Sequence, residues 1–301
     1  MKKRRDLKAE ITQKIVDRIE QGGLLPWICP WDIKQCSPIP VNFGTKKAYT
    51  GMNVLLLWME AVDRGYSNNQ WLTFKQAKAL GGSVRRGEKS TTCIFYKSVE
   101  IDDEQEEDGK KQIPVMKPFN VFNVEQIDGL ELPNARPIPN IEQGDLNLSL
   151  VKSIEQYCKI QGIALRNGGN RAYYSPSLDL IKIPDGFFDA SGMAATLAHE
   201  AGHSTGHKKR LDRFEKFDND FDKEIEAYAF EELVAETFSA LLCGEYGVPL
   251  QTDNHASYLN SWLKAMKGDT SFIFKAASHA YKAFDYFQDS VKAGGASIEA
   301  A

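Results

Sequence analysis

The chain has 301 residues, of which 42% are hydrophobic and 26% are charged, enough apolar material for two packed domains. Its net charge of −4 conceals an uneven distribution, because residues 1–97 hold 17 Lys and Arg against 8 Asp and Glu, a local charge of +9. The acidic average therefore does not exclude a nucleic-acid ligand.

Targeting signals are not evident in the sequence. The basic start Lys2–Arg5 is not followed by the apolar core of a signal peptide, and no segment approaches a membrane span. We therefore expect a cytoplasmic protein with no membrane partner. The five cysteines show no paired spacing, which is typical of reduced thiols, and no Ser-His-Asp triad or dinucleotide fingerprint is seen.

The first half of the chain is predicted to fold as an α+β domain. Apolar residues at every fourth position from Leu7 to Ile19 predict an amphipathic helix that ends at Gly22. A second helix is expected over residues 52–63. A third should begin after Thr73, which forms a capping box with Gln76.

Two segments that follow have the alternation of strands. Thr91–Val99 and Val115–Val124 are expected to pair across the acidic run Glu100–Gly109. A Pro-rich stretch at 132–144 is predicted to join two domains. We predict an α+β fold overall, divided into an N-terminal domain at 1–130, a linker at 131–145 and a second domain at 146–301.

Cations and flat side chains in the basic half indicate single-stranded rather than duplex nucleic acid, because unpaired bases expose faces for stacking. Four of the five Trp lie there, although Trp58 and Trp71 also suit a core. The Gly-rich turn Arg85–Lys89 is the strongest phosphate candidate. The candidate DNA-contacting residues are Lys46, Lys47, Tyr49, Trp71, Lys75, Lys78, Arg85, Arg86 and Lys89.

A hairpin is predicted at Arg171–Pro184, where two strand-like runs flank a Pro-Ser turn. The free edge of such a hairpin can hold an extended peptide, and an ordinary sheet element explains it equally well.

The segment after this hairpin carries the metal-binding pattern of zinc peptidases. His199 and His203 lie one helical turn apart, so both imidazoles can reach one ion, with Glu200 placed as general base beside the open position. Two histidines on a solvated helix are the ordinary alternative. Three of the five His fall within nine positions, however, which favours a metal site.

The third ligand is expected from a second helix, because Lys209 occupies the place that a third His takes in the longer motif. Tyr228, Glu232 and Glu236 follow an i, i+4, i+8 spacing on one helix face. We predict Glu232 as ligand, Glu236 as the carboxylate that orients a ligating imidazole, and Tyr228 as oxyanion donor.

Two neighbouring residues have less defined roles. Glu231 lies about 100° around the helix from Glu232 and is expected to meet solvent. His207 is a fourth or alternative ligand if the helix that carries His199 and His203 continues past Gly206, although a glycine at that position favours the end of the helix. Two imidazoles and one carboxylate suit Zn²⁺, and another divalent metal such as Mn²⁺ is the alternative.

Several segments together resemble the ArdC-like antirestriction proteins over nearly the whole chain. They are Tyr49–Asn53, Gly65–Tyr66, Gln70–Ala77, Gly81–Lys89, His199–His203, Glu231–Glu236, Asn254–Lys264 and Ala276–Ala280. The resemblance implies a mobile-element protein that binds single-stranded DNA and shields incoming DNA from restriction. It also implies a zincin-like metallopeptidase domain and kinship with the C-terminal part of plasmid conjugation primases.

Two functional hypotheses follow. The chain is either a zinc peptidase tethered to DNA, acting on an unidentified protein or peptide, or a DNA-coating protein whose metal domain is structural or dormant. Retention of Glu200 favours catalytic competence, because a purely structural metal site needs no general base. We favour coating as the mechanism of protection, because the basic half suffices for it.

Overall fold

The fold is described from a computed structural model, over residues 6–23, 25–26, 39–102, 110–131, 142–186, 189–214, 221–249 and 258–299. The helices are α1 (Leu7–Glu20), α2 (Met52–Arg64), α3 (Phe74–Ala79), α4 (Gln143–Gln161), α5 (Ala190–Thr205), α6 (Phe221–Tyr246), α7 (Leu259–Gly268) and α8 (Phe272–Glu299). The strands are β1 (Val41–Asn42), β2 (Gln70–Leu72), β3 (Ser83–Val84), β4 (Thr91–Asp102), β5 (Lys110–Asn123), β6 (Ile127–Asp128), β7 (Ala164–Asn167), β8 (Tyr173–Ser175) and β9 (Leu180–Ile183). The predicted α+β class is confirmed.

The N-terminal half is built on a sheet of order β1-β2-β5-β4. β4 and β5 pair antiparallel from Thr91 opposite Val121 to Asp102 opposite Lys110, which confirms the predicted pairing. The strands extend into the run predicted as their loop, because Glu100 to Asp102 belong to β4. The side-chain amide of Asn53 exchanges two hydrogen bonds of 2.8 Å with the backbone of Ile94. This contact anchors α2 to the outer edge of β4, where backbone groups would otherwise be unpaired.

The predicted capping box at the start of α3 is also confirmed. The Thr73 hydroxyl accepts a hydrogen bond from the Gln76 backbone N–H, and the Gln76 side chain accepts one from the Thr73 backbone N–H.

The acidic run at 103–109, between the two strands of the β4–β5 ribbon, lies outside the described residues, as do Trp27 and Trp31. Cys93, Cys158 and Cys243 are free and buried, as expected of reduced thiols.

The C-terminal half joins a small sheet of order β7-β9-β8 to a set of long helices. β8 and β9 pair antiparallel and form the predicted hairpin. β8 pairs only with β9 among the described strands, which gives it one outer edge. α4 already begins at Gln143, so regular structure extends into the stretch assigned to the linker. The domain division otherwise remains a prediction.

One continuous hydrophobic core links the two halves. It contains Trp58 of α2, residues of α1, and Trp262 and Phe287 from the last two helices, all in one buried cluster. Thr12 in α1 also donates a hydrogen bond of 2.8 Å to the carbonyl of Thr270, between α7 and α8. The N-terminal helices are therefore covered by the C-terminal ones. Among the described helices, none is long and apolar enough to cross a membrane.

Candidate metal centre and nucleic-acid surface

The candidate metal centre lies where α5 and α6 pack closely together. A Cβ added to Gly202 of α5 would be 2.9 Å from Cδ1 of Phe238 and 3.2 Å from Cα of Ala235, both on α6. Any larger residue at position 202 would therefore force the two helices apart. This glycine allows a carboxylate on α6 to reach the imidazoles on α5.

Within the part of the chain that the structure describes, one group of three His, Cys, Asp or Glu side chains could hold a metal ion. It consists of His199, His203 and Glu232, whose ligand atoms all lie within 4.8 Å of one another. The two Nε2 atoms are 3.0 Å apart, and the Glu232 oxygens lie 3.4 Å from His199 Nε2 and 3.5 Å from His203 Nε2. Ligands about 2.0–2.1 Å from one Zn²⁺ at tetrahedral angles are roughly 3.3 Å apart. The donor set and its spacing therefore fit one divalent metal ion.

A carboxylate faces the other ring nitrogen of each imidazole. Glu236 lies 3.4 Å from Nδ1 of His199, in the arrangement predicted for it. Glu231 lies 3.3 Å from Nδ1 of His203. The prediction that Glu231 meets solvent is wrong, because this side chain is largely enclosed and bound to Arg213. Such contacts fix the tautomer and the ring orientation of a metal-ligating histidine.

Arg213 links Glu231 of α6 to the C-terminal end of α5. Its guanidinium binds both Glu231 oxygens, at 2.7 and 2.8 Å, and donates a 3.0 Å bond to the carbonyl of Gly202. A Cβ on Gly206 would lie 3.0 Å from an Arg213 nitrogen, so Gly206 gives this side chain room. Neither Arg213 nor its contact with Glu231 was predicted. Arg213 lies in the loop that follows α5, and no helical spacing relates it to α6.

Helix α5, which carries the two candidate histidine ligands, ends before His207, as Gly206 indicated. α5 finishes at Thr205, and His207 Nδ1 lies 3.9 Å from Asp179 of the β8–β9 hairpin. His207 is thus outside the ligand cluster. Arg210, whose side chain is 1% exposed, binds Asp179, the Tyr174 hydroxyl and the carbonyl of Ser204, which ties the hairpin to the end of α5.

The electrostatics of the cluster favour a cation. Burial lowers the pKa of His199, but its hydrogen bond with Glu232 and the charge of Glu236 outweigh burial and raise that pKa to about 9. Burial raises the pKa of Glu232, but the same hydrogen bond and the imidazoles lower it below its usual value. Carboxylates outnumber fixed cations here, and a metal ion can balance them in place of protons.

Two tyrosines lie next to the ligands. The hydroxyls of Tyr228 and Tyr258 are 3.1 Å apart, and the Tyr258 ring stacks on Trp262. Tyr228 is 53% exposed, but the partial burial of its phenol, the hydrogen bond with Tyr258 and the charge of Glu232 raise its pKa far above the usual value, so the phenol stays protonated and able to donate. Glu200 is buried on α5. Tyr258 had not been predicted as a site residue, because it precedes α7 and has no spacing relation to α5 or α6.

Three of the nine predicted DNA-contacting residues are buried, half-buried or paired with carboxylates. Trp71 is fully buried, and its indole N–H donates to Asn69, so the prediction that it contacts DNA is wrong. Tyr49 is half-buried between two core clusters and bonded to Asn42. Arg85 is exposed but binds Glu88 and Asp128, which offsets its charge.

The remaining predicted cations are exposed on the N-terminal half. They are Lys46, Lys47, Lys75, Lys78, Arg86 and Lys89. Lys75 and Lys78 lie on α3, and the amide of Asn42, in β1, bonds to Gln76 of the same helix at 3.2 Å. The turn after β1, which holds Lys46 and Lys47, is thereby placed beside α3.

The fold and the ligand cluster define a zincin-like metallopeptidase domain attached to a basic N-terminal domain. Residues 152–279 match the family described as zincin-like metallopeptidase, and residues 5–122 match the N-terminal domain of anti-restriction factor ArdC. The chain belongs to the ArdC family of antirestriction proteins, as its similarity to a solved member over nearly its full length shows.

That solved structure is the metal-free antirestriction ArdC protein from R388 plasmid, with 39% identity, a TM-score of 0.79, and coverage of 96% of this chain and 98% of that one. The Mn(II)-bound structure of the same protein gives 38% identity, a TM-score of 0.76, and coverage of 95% and 98%.

Curated relatives extend this similarity. The uncharacterized protein y4eC of Sinorhizobium fredii is 35% identical over 291 residues, covering 93% of this chain and 91% of that protein. A protein named DNA primase TraC from Escherichia coli is 35% identical over 297 residues. The match spans 92% of this chain but 26% of the primase.

Proposed function

We propose that this protein binds single-stranded DNA through its N-terminal half and protects the incoming DNA of a mobile element from restriction by covering it. The observation that carries the proposal is the group of exposed lysines around α3, in a chain of the ArdC family. Within the described part of the chain, none of Lys46, Lys47, Lys75 and Lys78 is paired with a carboxylate. Cations left unpaired are available for phosphates. The site of action is the cytoplasm, where entering DNA meets restriction enzymes.

The C-terminal half supports a second function, metal-dependent peptide hydrolysis. We infer that His199, His203 and Glu232 hold Zn²⁺, or Mn²⁺ as in the similar plasmid protein. The three described donors leave a coordination position open, whereas structural zinc sites are closed by a fourth protein ligand. This open position favours a catalytic arrangement.

The chain supplies matching groups for hydrolysis. A divalent metal held at this centre would polarise a peptide carbonyl and make water more acidic. Glu200 takes a proton from the attacking water as general base, and the protonated Tyr228 donates to the oxygen that becomes negative. Glu231 and Glu236 keep the imidazoles oriented. The outer edge of β8 can align an extended peptide by backbone hydrogen bonds.

The test replaces Glu200 with Ala and measures protection of transferred DNA in a restricting host. We expect protection equal to that of the wild type, because Glu200 lies on α5 and away from the exposed lysines. Hydrolysis of a peptide substrate should fall about 10²–10⁴-fold, the usual effect of losing a general base.

The matched control is Glu226→Ala, which removes an exposed carboxylate from α6. It should alter neither property. If Glu200→Ala folds, loads metal and binds DNA but no longer protects, proteolysis and not coating is the protective mechanism.

A further inference from the structure

We propose that Phe74 is the residue on which an unpaired base stacks, with the lysines around it binding the adjacent phosphates. The inference rests on the proposed single-stranded DNA function and replaces the buried Trp71 as the aromatic contact. The surface formed by Phe74, Lys75, Lys78 and the Lys46–Lys47 turn is called the α3 surface below.

Phe74 is exposed and held in place. As the first residue of α3 it keeps 55% of its surface in contact with solvent. Its ring meets the half-buried Phe122 edge to face, with centroids 6.5 Å apart and planes inclined by 60°. The capping box of Thr73 fixes the backbone that precedes it. A supported ring loses little freedom when a base stacks on it, which favours binding.

The cations of the α3 surface come from two elements, α3 itself and the turn after β1. Lys78 lies one helical turn after Phe74 and therefore on the same side of α3. The Nζ of Lys46 lies 4.1 Å from the centre of the Phe43 ring, which holds this ammonium in the turn. A Cβ on Gly44 would be 3.6 Å from Cδ1 of Leu80, so the turn contacts the end of α3.

Single-stranded DNA is the ligand that matches an aromatic face among lysines. Every base presents a face for stacking, and the neighbouring phosphates need cations. Duplex DNA hides its base faces, which leaves Phe74 without a partner.

A second exposed aromatic site lies on the β4–β5 ribbon but is less suited to DNA. Phe95 keeps 46% exposure, contacts Phe119 and lies opposite Lys117. Along the sequence this ribbon leads into the acidic run 103–109, whose negative charge disfavours phosphates. Phe95 therefore serves as the matched control for Phe74.

The experiment measures the affinity of the full-length protein for a fluorescent oligo(dT) strand. Phe74→Ala should weaken binding about 5- to 150-fold, the range for losing one aromatic stacking contact. Phe74→Tyr should retain binding near the wild-type value, because a flat ring remains. Phe95→Ala should leave affinity unchanged. Far-UV circular dichroism and melting curves confirm that each variant folds.

Salt dependence separates stacking from charge. Phe74→Ala should lower affinity without changing the slope of log affinity against log salt, since no phosphate contact is lost. Replacing both Lys75 and Lys78 with Gln should reduce that slope by about 1.4, at about 0.7 per phosphate on single strands.

The possible results distinguish failure of the Phe74 stacking role from failure of the proposed single-stranded DNA binding. Wild-type protein that fails to bind the oligonucleotide contradicts the proposed function itself. Normal binding by a folded Phe74→Ala variant, or a loss confined to Phe95→Ala, overturns the stacking role while leaving DNA binding intact.

Discussion

Glu231 and Glu232 are adjacent in the sequence yet belong to different parts of the metal centre. Glu232 contacts the Nε2 atoms of both histidines, whereas Glu231 contacts the opposite nitrogen of His203 and is neutralised by Arg213. Burial raises the pKa of Glu231, but the hydrogen bonds with Arg213 and His203 lower it below its usual value. Glu231 is thus an ionised carboxylate that orients His203, a proposed metal ligand.

Three single substitutions should separate these roles by metal analysis and titration. Glu232→Gln removes a charged ligand and should abolish stable metal binding. Glu231→Gln should lower affinity by about 10–100-fold, the usual effect of losing the group that orients a ligand. Glu200→Gln should leave metal content intact and serves as control. Equal metal affinity in wild type and Glu232→Gln would exclude Glu232 as a ligand.

The sequence predicted the residues that obey helical spacing. His199, His203, Glu232 and Glu236 were identified because one turn of helix places them on a common face. Glu231 was missed because its environment depends on Arg213, which only the tertiary fold brings to it. Trp71 was misassigned since composition cannot show on which side of a sheet an aromatic ring is covered.

At the scale of elements, the closeness of α5 and α6 brings the three candidate ligands together. The two helices contact at Gly202, where backbone and the Phe238 ring occupy the space of a side chain. The Thr73 capping box, the β4–β5 ribbon and the β8–β9 hairpin were predictable because their signals are local. That α5 and α6 meet was expected from their ligand-type residues, but their close contact at Gly202 was not predicted, because it depends on how the side chains of the two helices interlock.

Gly202→Ala tests whether this contact sets the metal geometry. The added methyl group should destabilise the fold by about 1–3 kcal/mol through overpacking, although Ala is the better helix former. Metal affinity should fall as Glu232 is displaced from the imidazoles. Thermal melting and metal titration provide the two measurements.

Gly268→Ala is the matched control at the end of α7. A Cβ there meets nothing within 4 Å, so stability and metal affinity should be preserved. Unaltered metal binding by Gly202→Ala would show that the helices can separate without disturbing the ligands.

At the scale of the whole molecule, the shared core couples the half proposed to bind DNA to the half that holds the candidate metal centre. Trp58 from α2 and Trp262 from α7 lie in one buried cluster that also includes residues of α5 and α6. A fragment that ends after the N-terminal sheet would expose the apolar sides of α1 and α2. DNA binding is therefore best measured on the complete chain.

Hydrogen exchange with and without Zn²⁺ tests this coupling. Metal at 100 times its dissociation constant stabilises the folded state by about 2.7 kcal/mol, provided that the unfolded chain does not bind it. Because the core is continuous, slowly exchanging amides of α2 should gain protection together with those of α5. Protection that increases in α5 alone would show that the halves open independently.

A continuous core also limits which part of the coding sequence recombination can transfer as a functional unit. A recombination event that transferred either half alone would deliver a chain with a large apolar face uncovered, prone to aggregation and degradation. The transferable unit is then the two halves together. The TraC primase match agrees with this, since the much longer protein contains the counterpart of 92% of this chain and not of one half.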